Sequence, residues 1–420
     1  MPAMTNAPPH TLAGSPADAQ PDADVLIVGA GPVGLSLAAA LHDAGLSVQV
    51  LEQQPLAALQ DPADDGREIA LTHRARQVLE SLGHWPALPE DVISPLQRAQ
   101  VQDGDQPASL HFDAPANGPL GWLVPNHHLR RAAWQAVARR PAIRVHADAQ
   151  VKALAIPEGD RPGSLAAVTL ADGRCLRAAL VVAADSRFSG TRRLGGIGAA
   201  MHDFGRSVVV GPVHHSHDHD GVARECFRYG NTLAMLPMTN GRSSAVVTAD
   251  SNLAAQWLAL SDEAFAARIA QQIGSELGSI RAAGPRHHYP LVGVYAHRFV
   301  APRLALVGDA AVGMHPVTAH GYNFGLYGVQ VLARQLAQAR SAGRDIGTLA
   351  TLQPYEHEHR RVTLPVYLGT NAIVTLFTTE APAAKLARKA ILNVAERLPG
   401  LSRLIKGSIT RQLTGGAVAR

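Results

Sequence analysis

Cysteine is scarce in this chain of 420 residues, which contains only Cys175 and Cys226. The two residues form neither a CxxC pair nor a zinc-ligand spacing, so the sequence predicts no disulfide framework and no cysteine-based metal site. Such sparse cysteine is typical of a reducing compartment. Aromatic residues are also few, at 5%, and no basic stripe with interleaved aromatics occurs in the body of the chain. We therefore expect no nucleic-acid-binding surface.

Lysine and arginine are absent from residues 1–66. A secretory signal begins with basic residues and a transit peptide is rich in arginine, so we expect neither kind of leader. No apolar run reaches 20 residues, and the uncharged stretch 362–379 contains Pro365, Gly369 and Asn371. A bilayer crossing needs about 20 consecutive apolar residues, so the sequence predicts a cytoplasmic protein without a membrane-spanning helix.

Basic charge is concentrated at the C-terminal end. Residues 381–420 contain eight basic residues and one acid, Glu396, and so carry +7, whereas the whole chain carries +4. Residues 383–398 also have the period of an amphipathic helix, which either packs on the core or binds an anionic surface. Both interpretations stay open, and the second predicts peripheral attachment to the inner membrane surface or to a multiprotein complex.

The order of apolar and glycine-rich segments predicts an α/β fold. Residues 24–28 have the composition of a buried strand, residues 32–45 have helical periodicity, and residues 47–53 predict a second strand. This is the βαβ order of a Rossmann-like domain. Alternating patterns over 92–122 and 201–250 predict a β-rich segment that interrupts that domain. We also expect helices over 69–82, 128–139, 261–277 and 323–341, and a mostly helical C-terminal part.

The first motif is the glycine-rich turn GAGPVG at residues 29–34, between the first predicted strand and helix. Glycines in this pattern permit a tight turn, let the backbone approach a pyrophosphate, and allow close packing of helix on strand. The phosphates then lie at the positive N-terminus of the helix. Glu52 ends the second strand, 23 residues after Gly29, where an acid binds an adenosine ribose. The motif predicts that the chain binds NAD or FAD. The acid at Glu52 argues against NADP at this position, because it would repel the 2′-phosphate.

The second motif begins where another apolar strand, LALVG at residues 304–308, is followed by Asp309. A loop of small residues then leads through His315 and Pro316 to a helix that starts near Gly321. Asp309 is placed to accept hydrogen bonds from a polyol, and the helix N-terminus is placed to face an anionic or electron-rich ring. By spacing alone, an ordinary Rossmann βα unit fits this segment equally well.

Together these segments resemble the class A flavoprotein monooxygenases, the aromatic hydroxylases related to para-hydroxybenzoate hydroxylase. The family pattern has GxGxxG near the start, a DG motif in mid-chain, and a GD motif followed by HP and a GQGxNxG-like loop. This chain has the three motifs in that order, and the resemblance extends from about Asp24 to Gly415. The versions HPVTAHGYNFGL and YEHEHRRVTLPVYLGTNAIVTLF are most similar to the branch of hydroxylases in ubiquinone biosynthesis.

The resemblance implies a Rossmann-like FAD-binding domain interleaved with a β-sheet substrate domain and followed by a helical part. The expected boundaries are a flexible tail over 1–23, the FAD-binding domain over 24–95, 125–198 and 286–345, the substrate domain over 96–124 and 199–285, and the helical region over 346–420.

The resemblance also implies the residues that bind FAD. These are Gly29, Gly31, Pro32, Val33 and Gly34 at the pyrophosphate, Glu52 and Gln53 at the adenosine ribose, Arg67 and Asn126 against the cofactor, Gly308 and Asp309 at the ribityl chain, and Pro316, Gly321, Tyr322 and Asn323 at the isoalloxazine ring.

Two motif positions depart from the family pattern. Asp185 matches the acid of the DG motif and is included among the cofactor-binding residues, but Ser186 replaces its glycine, which argues against a tight turn there. His320 replaces the usual glutamine of the loop and is, with Pro316, a candidate catalytic residue. Its imidazole is either a hydrogen-bonding substitute or a group that titrates near neutral pH.

The implied activity is hydroxylation of an aromatic ring. In that family NAD(P)H reduces FAD, the reduced flavin activates O₂, and an electron-rich ring, here that of a ubiquinone precursor, receives the oxygen. The cofactor supplies the difficult chemistry, which explains why no catalytic triad is evident. Two alternatives stay open: the same chemistry on another aromatic or secondary metabolite, and a flavin reductase that does not activate O₂.

A cluster of histidines also suggests metal binding. His215, His217 and His219 alternate and would share one face of a strand, with His214 beside them. They lie next to Gly221 in a polar turn, however, and we expect no functional metal site there.

Overall fold

The structure is a computed structural model that describes residues 20–103, 110–116, 118–228, 231–315 and 320–378. Residues 1–19 of the expected N-terminal tail, Pro316, and the basic segment 381–420 lie outside these ranges. The described strands form one mainly parallel sheet, one mainly antiparallel sheet and a small third sheet. The predicted α/β class is confirmed, whereas the domain boundaries stay a prediction.

The strands are β1 (Ala23–Val28), β2 (Val48–Leu51), β3 (Glu68–Leu71), β4 (Ser94–Leu96), β5 (Arg98–Asp103), β6 (Leu110–Asp113), β7 (Gly121–Pro125), β8 (Arg144–His146), β9 (Val151–Ala155), β10 (Ala166–Leu170), β11 (Cys175–Ala183), β12 (Ala199–His215), β13 (Val222–Arg228), β14 (Asn231–Met238), β15 (Arg242–Asp250), β16 (Ile280–Ala282), β17 (His287–Ala296), β18 (Val300–Ala301), β19 (Leu304–Leu306) and β20 (Val312–Gly313). The α-helices are α1 (Pro32–Asp43), α2 (Leu56–Gln60), α3 (His73–Ser81), α4 (Asn126–Ala138), α5 (Gly190–Leu194), α6 (Ser251–Ala259), α7 (Asp262–Ile273), α8 (Gly321–Ser341) and α9 (Leu349–Thr378).

The parallel part of the first sheet has the strand order β19-β11-β1-β2-β8. β1 is central, and Val25, Leu26 and Ile27 are fully buried, which explains why its sequence is apolar without alternation. β10 and β9 continue the sheet as antiparallel strands, and β18 pairs antiparallel with β19. The carboxyl ends of β1, β2 and β19 therefore lie near one edge, where ligands bind in open parallel sheets.

The second sheet has nine strands in the order β20-β17-β12-β15-β14-β13-β5-β6, with β16 against β12. Its pairs are antiparallel except for β13 with β5. One face packs against α6 and α7 through a cluster that includes Val209, Cys226, Trp257 and Phe265. We call the opposite face the inner face. It carries Val208, Val210 and Leu291 in one cluster, and Ala223 and Leu236 in another.

The third sheet, in the order β3-β7-β4, corrects the helix predicted over 69–82. Residues Ile69 to Leu71 pair with β7, and the helix begins only after Thr72, whose side-chain oxygen accepts a hydrogen bond from the N–H of Ala75 (3.1 Å). Strand pairing thus overrides the helical periodicity of the first three residues. The inner face meets this sheet through Ala70, which packs in the cluster of Ala223 and Leu236.

The helices of the C-terminal part lie where the sequence predicted them. α8 matches the helix expected over 323–341, and α9 covers the described portion of the helical region despite containing Pro354 and Pro365. The helix predicted over 261–277 is shorter, because Gly274 ends α7 at a φ of 72°. In the described parts of the chain, no helix combines the length and the apolar character that crossing a bilayer requires.

Candidate functional site

The turn after β1 has the backbone form that the GAGPVG motif predicts. Gly29 has a φ of 108°, and a Cβ there would lie 2.5 Å from the carbonyl oxygen of Ala184, so β1 and β11 approach too closely for any side chain. A Cβ on Gly34 would lie 2.0 Å from the carbonyl oxygen of Gly29. A Cβ on Gly31, in contrast, would meet no atom within 4 Å. Two glycines therefore shape the turn, and the third leaves open space before α1.

The N-terminus of α1 faces that space with its backbone donors available. The helix starts at Pro32, and among the residues that the structure describes no side chain caps its N-terminus. The first N–H groups of a helix lack partners inside the helix and attract an anion, an effect that the helix dipole strengthens.

Glu52 lies at the end of β2 and closes one side of the same turn. Its Oε2 accepts a hydrogen bond from the N–H of Ala30 (2.7 Å), and its Oε1 accepts one from the N–H of Gln54 (2.9 Å). Each carboxylate oxygen keeps a further lone pair for a ligand hydroxyl. Gln53 beside it is exposed. The structure thus brings Glu52 to the glycine turn, as predicted.

Arg67 and Asn126 meet at Asp65, a residue that the sequence did not single out. Arg67 Nη2 lies 2.5 Å from Asp65 Oδ2, and Asn126 Nδ2 donates to the same oxygen at 2.8 Å. Burial alone raises the pKa of Asp65, but the hydrogen bonds from Arg67 and Asn126 lower it below its usual value. Tyr289 of β17 donates its hydroxyl to the Asp65 carbonyl oxygen at 2.6 Å. This loop therefore joins the third sheet to the inner face of the second sheet.

Asp309 follows β19 in a short 3₁₀ turn that begins at Gly308, whose φ is 60°. Arg187 Nη2 donates to Asp309 Oδ2 at 3.1 Å, and Nη1 of the same arginine donates to the carbonyl oxygen of Val292 at 3.0 Å. The Asp309 side chain remains 32% exposed in this pair, so its carboxylate keeps acceptor capacity for a ligand hydroxyl.

The turn at Asp185 forms although serine replaces the glycine of the family motif. Ser186 adopts a φ of 76°, the left-handed conformation that the glycine would supply, which corrects the expectation that no tight turn occurs there. Both oxygens of Asp185 are engaged at the start of α5, where Oδ1 accepts from the Ser189 hydroxyl and Oδ2 from the N–H of Thr191 (2.9 Å). Asp185 therefore organises a local helix start.

The N-terminus of α8 is anchored by Asn323. Its Oδ1 accepts a hydrogen bond from the N–H of Thr72 (3.0 Å), and its Nδ2 donates to the carbonyl oxygen of Ala70 (2.8 Å). His320 occupies the N-cap position with its side chain buried, and a Cβ on Gly321 would meet no atom of the described residues within 4 Å. This helix start therefore lies against β3 and presents an open backbone surface.

Val33 of α1 packs against two other segments that the motifs predicted, the Asp309 turn and the start of α8. A Cβ on Gly308 would lie 3.2 Å from Val33 Cγ1, and one on Gly325 would lie 2.6 Å from Val33 Cγ2. The glycines of the second motif thus allow α8 and the Asp309 turn to pack on α1. Tyr322 lies in this packed region, and burial raises the pKa of its hydroxyl.

His315, from the HP motif, is buried beside the inner face. Its ring lies 4.9 Å from that of Phe204 in a T-shaped contact. Burial lowers the pKa of His315 to about 4, and the charges of Arg206 and Arg187 act in the same direction. The imidazole is therefore neutral at physiological pH.

The histidine cluster makes local hydrogen bonds. His215 Nε2 lies 3.0 Å from Ser243 Oγ, and His219 Nε2 lies 2.7 Å from the carbonyl oxygen of Met238. Over the ranges that the structure describes, no group of three or more His, Cys, Asp or Glu side chains is arranged to hold a metal ion.

These residues fit FAD in shape and in chemistry. An uncapped helix N-terminus stands behind an open glycine, which suits a pyrophosphate. Glu52 and Asp309 offer acceptor oxygens to hydroxyl groups, and the start of α8 offers backbone donors beside a buried histidine. Such a site beside a largely antiparallel second sheet defines a class of protein, the flavoprotein monooxygenases.

The comparisons with known proteins agree with this class. A family model described as an FAD-binding domain matches residues 22–366. Ubiquinone hydroxylase UbiM of Neisseria meningitidis is 43% identical over 93% of this chain and 84% of its own length. Ubiquinone hydroxylase UbiL of Rhodospirillum rubrum is 40% identical over 94% of this chain and 91% of its own. The chain belongs to this FAD-binding-domain family, within the group that includes the ubiquinone hydroxylases.

A solved structure shows the same fold at lower identity. The p-nitrophenol 4-monooxygenase PnpA of Pseudomonas putida superposes with a TM-score of 0.72 at 19% identity, covering 93% of this chain and 98% of that one. The predicted class A flavoprotein monooxygenase is confirmed, and the protein is an FAD-dependent enzyme. FAD and the donor NAD(P)H, the predicted cofactors, are typical of these hydroxylases.

The sequence reasoning missed three side chains that organise the site: Asp65, Arg187 and Tyr289. Asp65 had a usable signal, since it belongs to an acidic turn directly before the first arginine of the chain. Arg187 follows Asp185 and Ser186, but nothing in the sequence pairs it with Asp309, more than 100 residues away. Tyr289 lies in an alternating strand and carries no motif.

Proposed function

We propose that this enzyme hydroxylates the aromatic ring of a ubiquinone precursor, using O₂ and electrons from NAD(P)H. The observation that carries the proposal is the identity of 43% and 40% to two ubiquinone hydroxylases along more than nine-tenths of the chain. A third relative, the 3-demethoxyubiquinol 3-hydroxylase of Escherichia coli, is 29% identical over 90% of this chain and 96% of its own.

The proposed FAD contacts follow from the site. Gly29, Gly31 and Gly34, with Pro32 and Val33, would hold the pyrophosphate at the N-terminus of α1. Glu52 and Gln53 would bind the adenosine ribose, and Arg67 and Asn126 would lie against the cofactor with Asp65 fixing their side chains. Asp309 and Gly308 would bind the ribityl chain, and Asp185 would hold its segment in place through α5. Pro316, Gly321, Tyr322 and Asn323 would line the ring.

In the proposed mechanism, reduced FAD supplies the activation of O₂ for attack on an electron-rich ring. The chain's own residues bind, orient and keep water away. Asn323 fixes the start of α8 against β3 through two hydrogen bonds, so that His320 and the backbone beside it keep one position relative to the bound ring. The apolar side chains of the inner face would exclude water from the substrate side.

A spectroscopic experiment tests this proposal. The purified protein is loaded with FAD, mixed anaerobically with NADH or NADPH, and followed by its visible absorption spectrum. The flavin bands are expected to bleach, and after air is admitted a prenylated phenol precursor is expected to gain one oxygen atom, as read by mass spectrometry. Reduction of the flavin without oxygenated product would favour a reductase and refute the hydroxylase proposal.

We also propose that the basic segment 381–420 attaches the enzyme to an anionic membrane surface or to a protein complex. The sequence alone supports this proposal, through a charge of +7 in that segment. Co-sedimentation with vesicles tests the membrane attachment, and purification under mild conditions tests the complex. Binding to anionic vesicles is expected to weaken with salt, whereas equal recovery with neutral vesicles would argue against an electrostatic attachment.

A further inference from the structure

The inner face of the second sheet carries a carboxyl group that the proposed FAD contacts do not use, that of Glu225. On β13, Cys226 packs into the outer cluster with α6 and α7. Glu225 precedes it and so projects to the opposite, inner face, because successive side chains of a strand alternate. Ala223, two residues away, packs in the inner cluster with Ala70 and Leu236.

Strand pairing places Glu225 in a row of small apolar side chains. Glu225 lies opposite Val101 of β5 and Ala234 of β14. Ala234 lies opposite Val246 of β15, which in turn lies opposite Val210 of β12. Directly paired residues project to the same side of a sheet, so the carboxyl group has apolar neighbours across four strands.

The carboxyl group of Glu225 has neither a hydrogen-bond partner nor an ion-pair partner among the described residues. Its pKa is raised to about 7 by loss of hydration, and the residue keeps intermediate exposure, so the carboxyl group stays reachable from solvent on the inner face. A carboxyl group among apolar side chains is poorly hydrated, and it contributes nothing to packing that an alanine or valine would not. A ligand that supplies the missing hydrogen bond accounts for its presence.

A second polar group on the inner face supports the same conclusion. Ser244 lies opposite Leu236 and two residues before Val246 on β15. It is only 2% exposed, and its Oγ has no hydrogen-bond partner among the described residues. Buried hydroxyl groups are nearly always hydrogen-bonded. The Ser244 hydroxyl therefore marks a second place on the inner face, beside the row of Glu225, where a polar partner is missing.

The inner face is connected to the proposed flavin site through β3. Ala70 packs against the same apolar cluster as Ala223 and Leu236, and its carbonyl oxygen accepts the hydrogen bond from Asn323 of α8. A substrate ring held between the inner face and the start of α8 would therefore have Glu225 on its sheet side.

We propose that Glu225 accepts a hydrogen bond from the ring hydroxyl of the aromatic substrate and so makes the enzyme select phenols over their ring ethers. The proposal rests on the proposed function, since it takes an aromatic ring as the substrate. Above its pKa of about 7 the ionised carboxyl group only accepts hydrogen bonds, and an ether oxygen has no hydrogen to donate to it. The same contact orients the ring, since it fixes the hydroxyl edge toward β13.

The test compares 2-geranylphenol with its methyl ether, which has nearly the same shape but no donor. Binding of each to the FAD-loaded protein is followed by the change in the visible spectrum of the flavin at about pH 8.5, where the carboxyl group of Glu225 is mostly ionised. The variant is Glu225→Gln. The matched control is Glu276→Gln, because Glu276 lies on the other side of β13, where its carboxylate accepts a hydrogen bond from Arg224 Nε (2.7 Å).

The wild-type protein is expected to bind the phenol at least about 10-fold more tightly than the ether, as hydrogen bonds to charged groups are worth that factor or more. Glu225→Gln is expected to reduce the difference to about 3-fold or less, and Glu276→Gln to leave it unchanged. FAD content and the thermal midpoint show that each variant is folded. If Glu225→Gln does not load FAD, Glu225→Asp replaces it and is expected to keep only part of the preference.

Two results would overturn the proposal: a preference that survives in the Glu225 variant, or a wild-type protein that binds phenol and ether equally or binds neither. The proposed function is judged separately, by the oxygenated product. If the preference for the phenol depends on Glu225 but no oxygenated product forms, the contact between Glu225 and the ring hydroxyl is supported and the hydroxylase function is refuted.

Discussion

Gly29 and Gly31 belong to one motif but serve different purposes, and substitution separates them. The position of Gly29 is closed, with a positive φ and the Ala184 carbonyl oxygen 2.5 Å from any Cβ, whereas the position of Gly31 is open. The same chemical change, one added methyl group, therefore has different consequences at the two positions.

We predict that Gly29→Ala destabilises the apoprotein by at least about 2 kcal/mol, from backbone strain and steric overlap. Gly31→Ala is expected to leave the stability of the apoprotein within about 0.5 kcal/mol. It should weaken FAD binding by about 10-fold or more, since the methyl group occupies the space before α1. Urea unfolding and FAD titration measure the two effects. Equal stability loss in both variants would contradict this reading of the turn.

Ser186 is a residue in a conformation that suits glycine. Its φ of 76° costs about 1 kcal/mol for a residue with a Cβ, so we predict that Ser186→Gly raises the free energy of unfolding by about that amount. Ser186→Ala keeps a Cβ and serves as the control, with no gain expected. Thermal or chemical unfolding of the three proteins decides the point, and a gain in the alanine variant would exclude backbone strain as the cause.

At the scale of elements, the packing of α8 on α9 depends on the absence of one side chain. A Cβ on Gly328 of α8 would lie 2.8 Å from Cε1 of His359 on α9. His359 is fully buried, and its Nε2 lies 3.2 Å from the carbonyl oxygen of Phe324. Burial lowers the pKa of His359 to about 4, so the imidazole enters this contact uncharged.

We predict that Gly328→Ala destabilises the protein by about 1–3 kcal/mol, because overpacking outweighs the gain in helix propensity. Gly369→Ala on α9 is the matched control, since a Cβ there would meet nothing within 4 Å. It is expected to stabilise the protein by up to about 1 kcal/mol. Both free energies come from chemical unfolding, and a stabilising Gly328→Ala would show that the two helices are less tightly packed.

At the scale of the whole molecule, Arg303 connects segments that are far apart in the chain. Its side chain is 1% exposed and makes two hydrogen bonds to Asp345, at 2.6 and 2.7 Å. It also donates to the carbonyl oxygens of Arg161 (2.6 Å) and Ala179 (3.2 Å). The start of β19, the edge of β11 and the connection from α8 to α9 are thus held by one guanidinium group.

Asp345 supplies the charge that neutralises this guanidinium group. Burial alone would raise the pKa of the Asp345 carboxyl group. The hydrogen bonds from Arg303 and from the N–H groups of Gly163 and Gly347 outweigh burial and lower the pKa of Asp345 below its usual value. A carboxyl group with a lowered folded-state pKa contributes stability above the pKa of the unfolded chain, and loses it as the pH falls through the folded-state value.

We predict that Asp345→Asn costs about 3 kcal/mol near neutral pH, because it leaves a buried guanidinium group without its counter-charge. The difference from wild type should shrink as the pH falls below about 4, because the carboxyl group of the unfolded wild-type chain then binds a proton that the folded chain does not. Unfolding free energies measured from pH 7 to pH 3 test this, and a constant difference over that range would contradict an ionic role for the pair.

The order of residues along the chain determined much of this fold. A buried central strand must be apolar throughout, and a turn between closely packed strands must be glycine. The segment DVLIVGAGPVG therefore predicted the βαβ unit and a bound dinucleotide, NAD or FAD. The family resemblance then implied FAD and the enzyme class. These inferences hold because each depends on residues within one short segment.

Tertiary structure decided what depends on residues far apart in the chain. Ile69 to Leu71 form a strand because β7 pairs with them, and Arg187 reaches Asp309 because β11 and β19 are neighbours. Glu225 gains its row of apolar neighbours only when β5, β14, β15 and β12 align with β13. Local sequence sets periodicity and turn conformation, whereas the pairing of a segment and the environment of its side chains are set by long-range contacts that no short segment encodes.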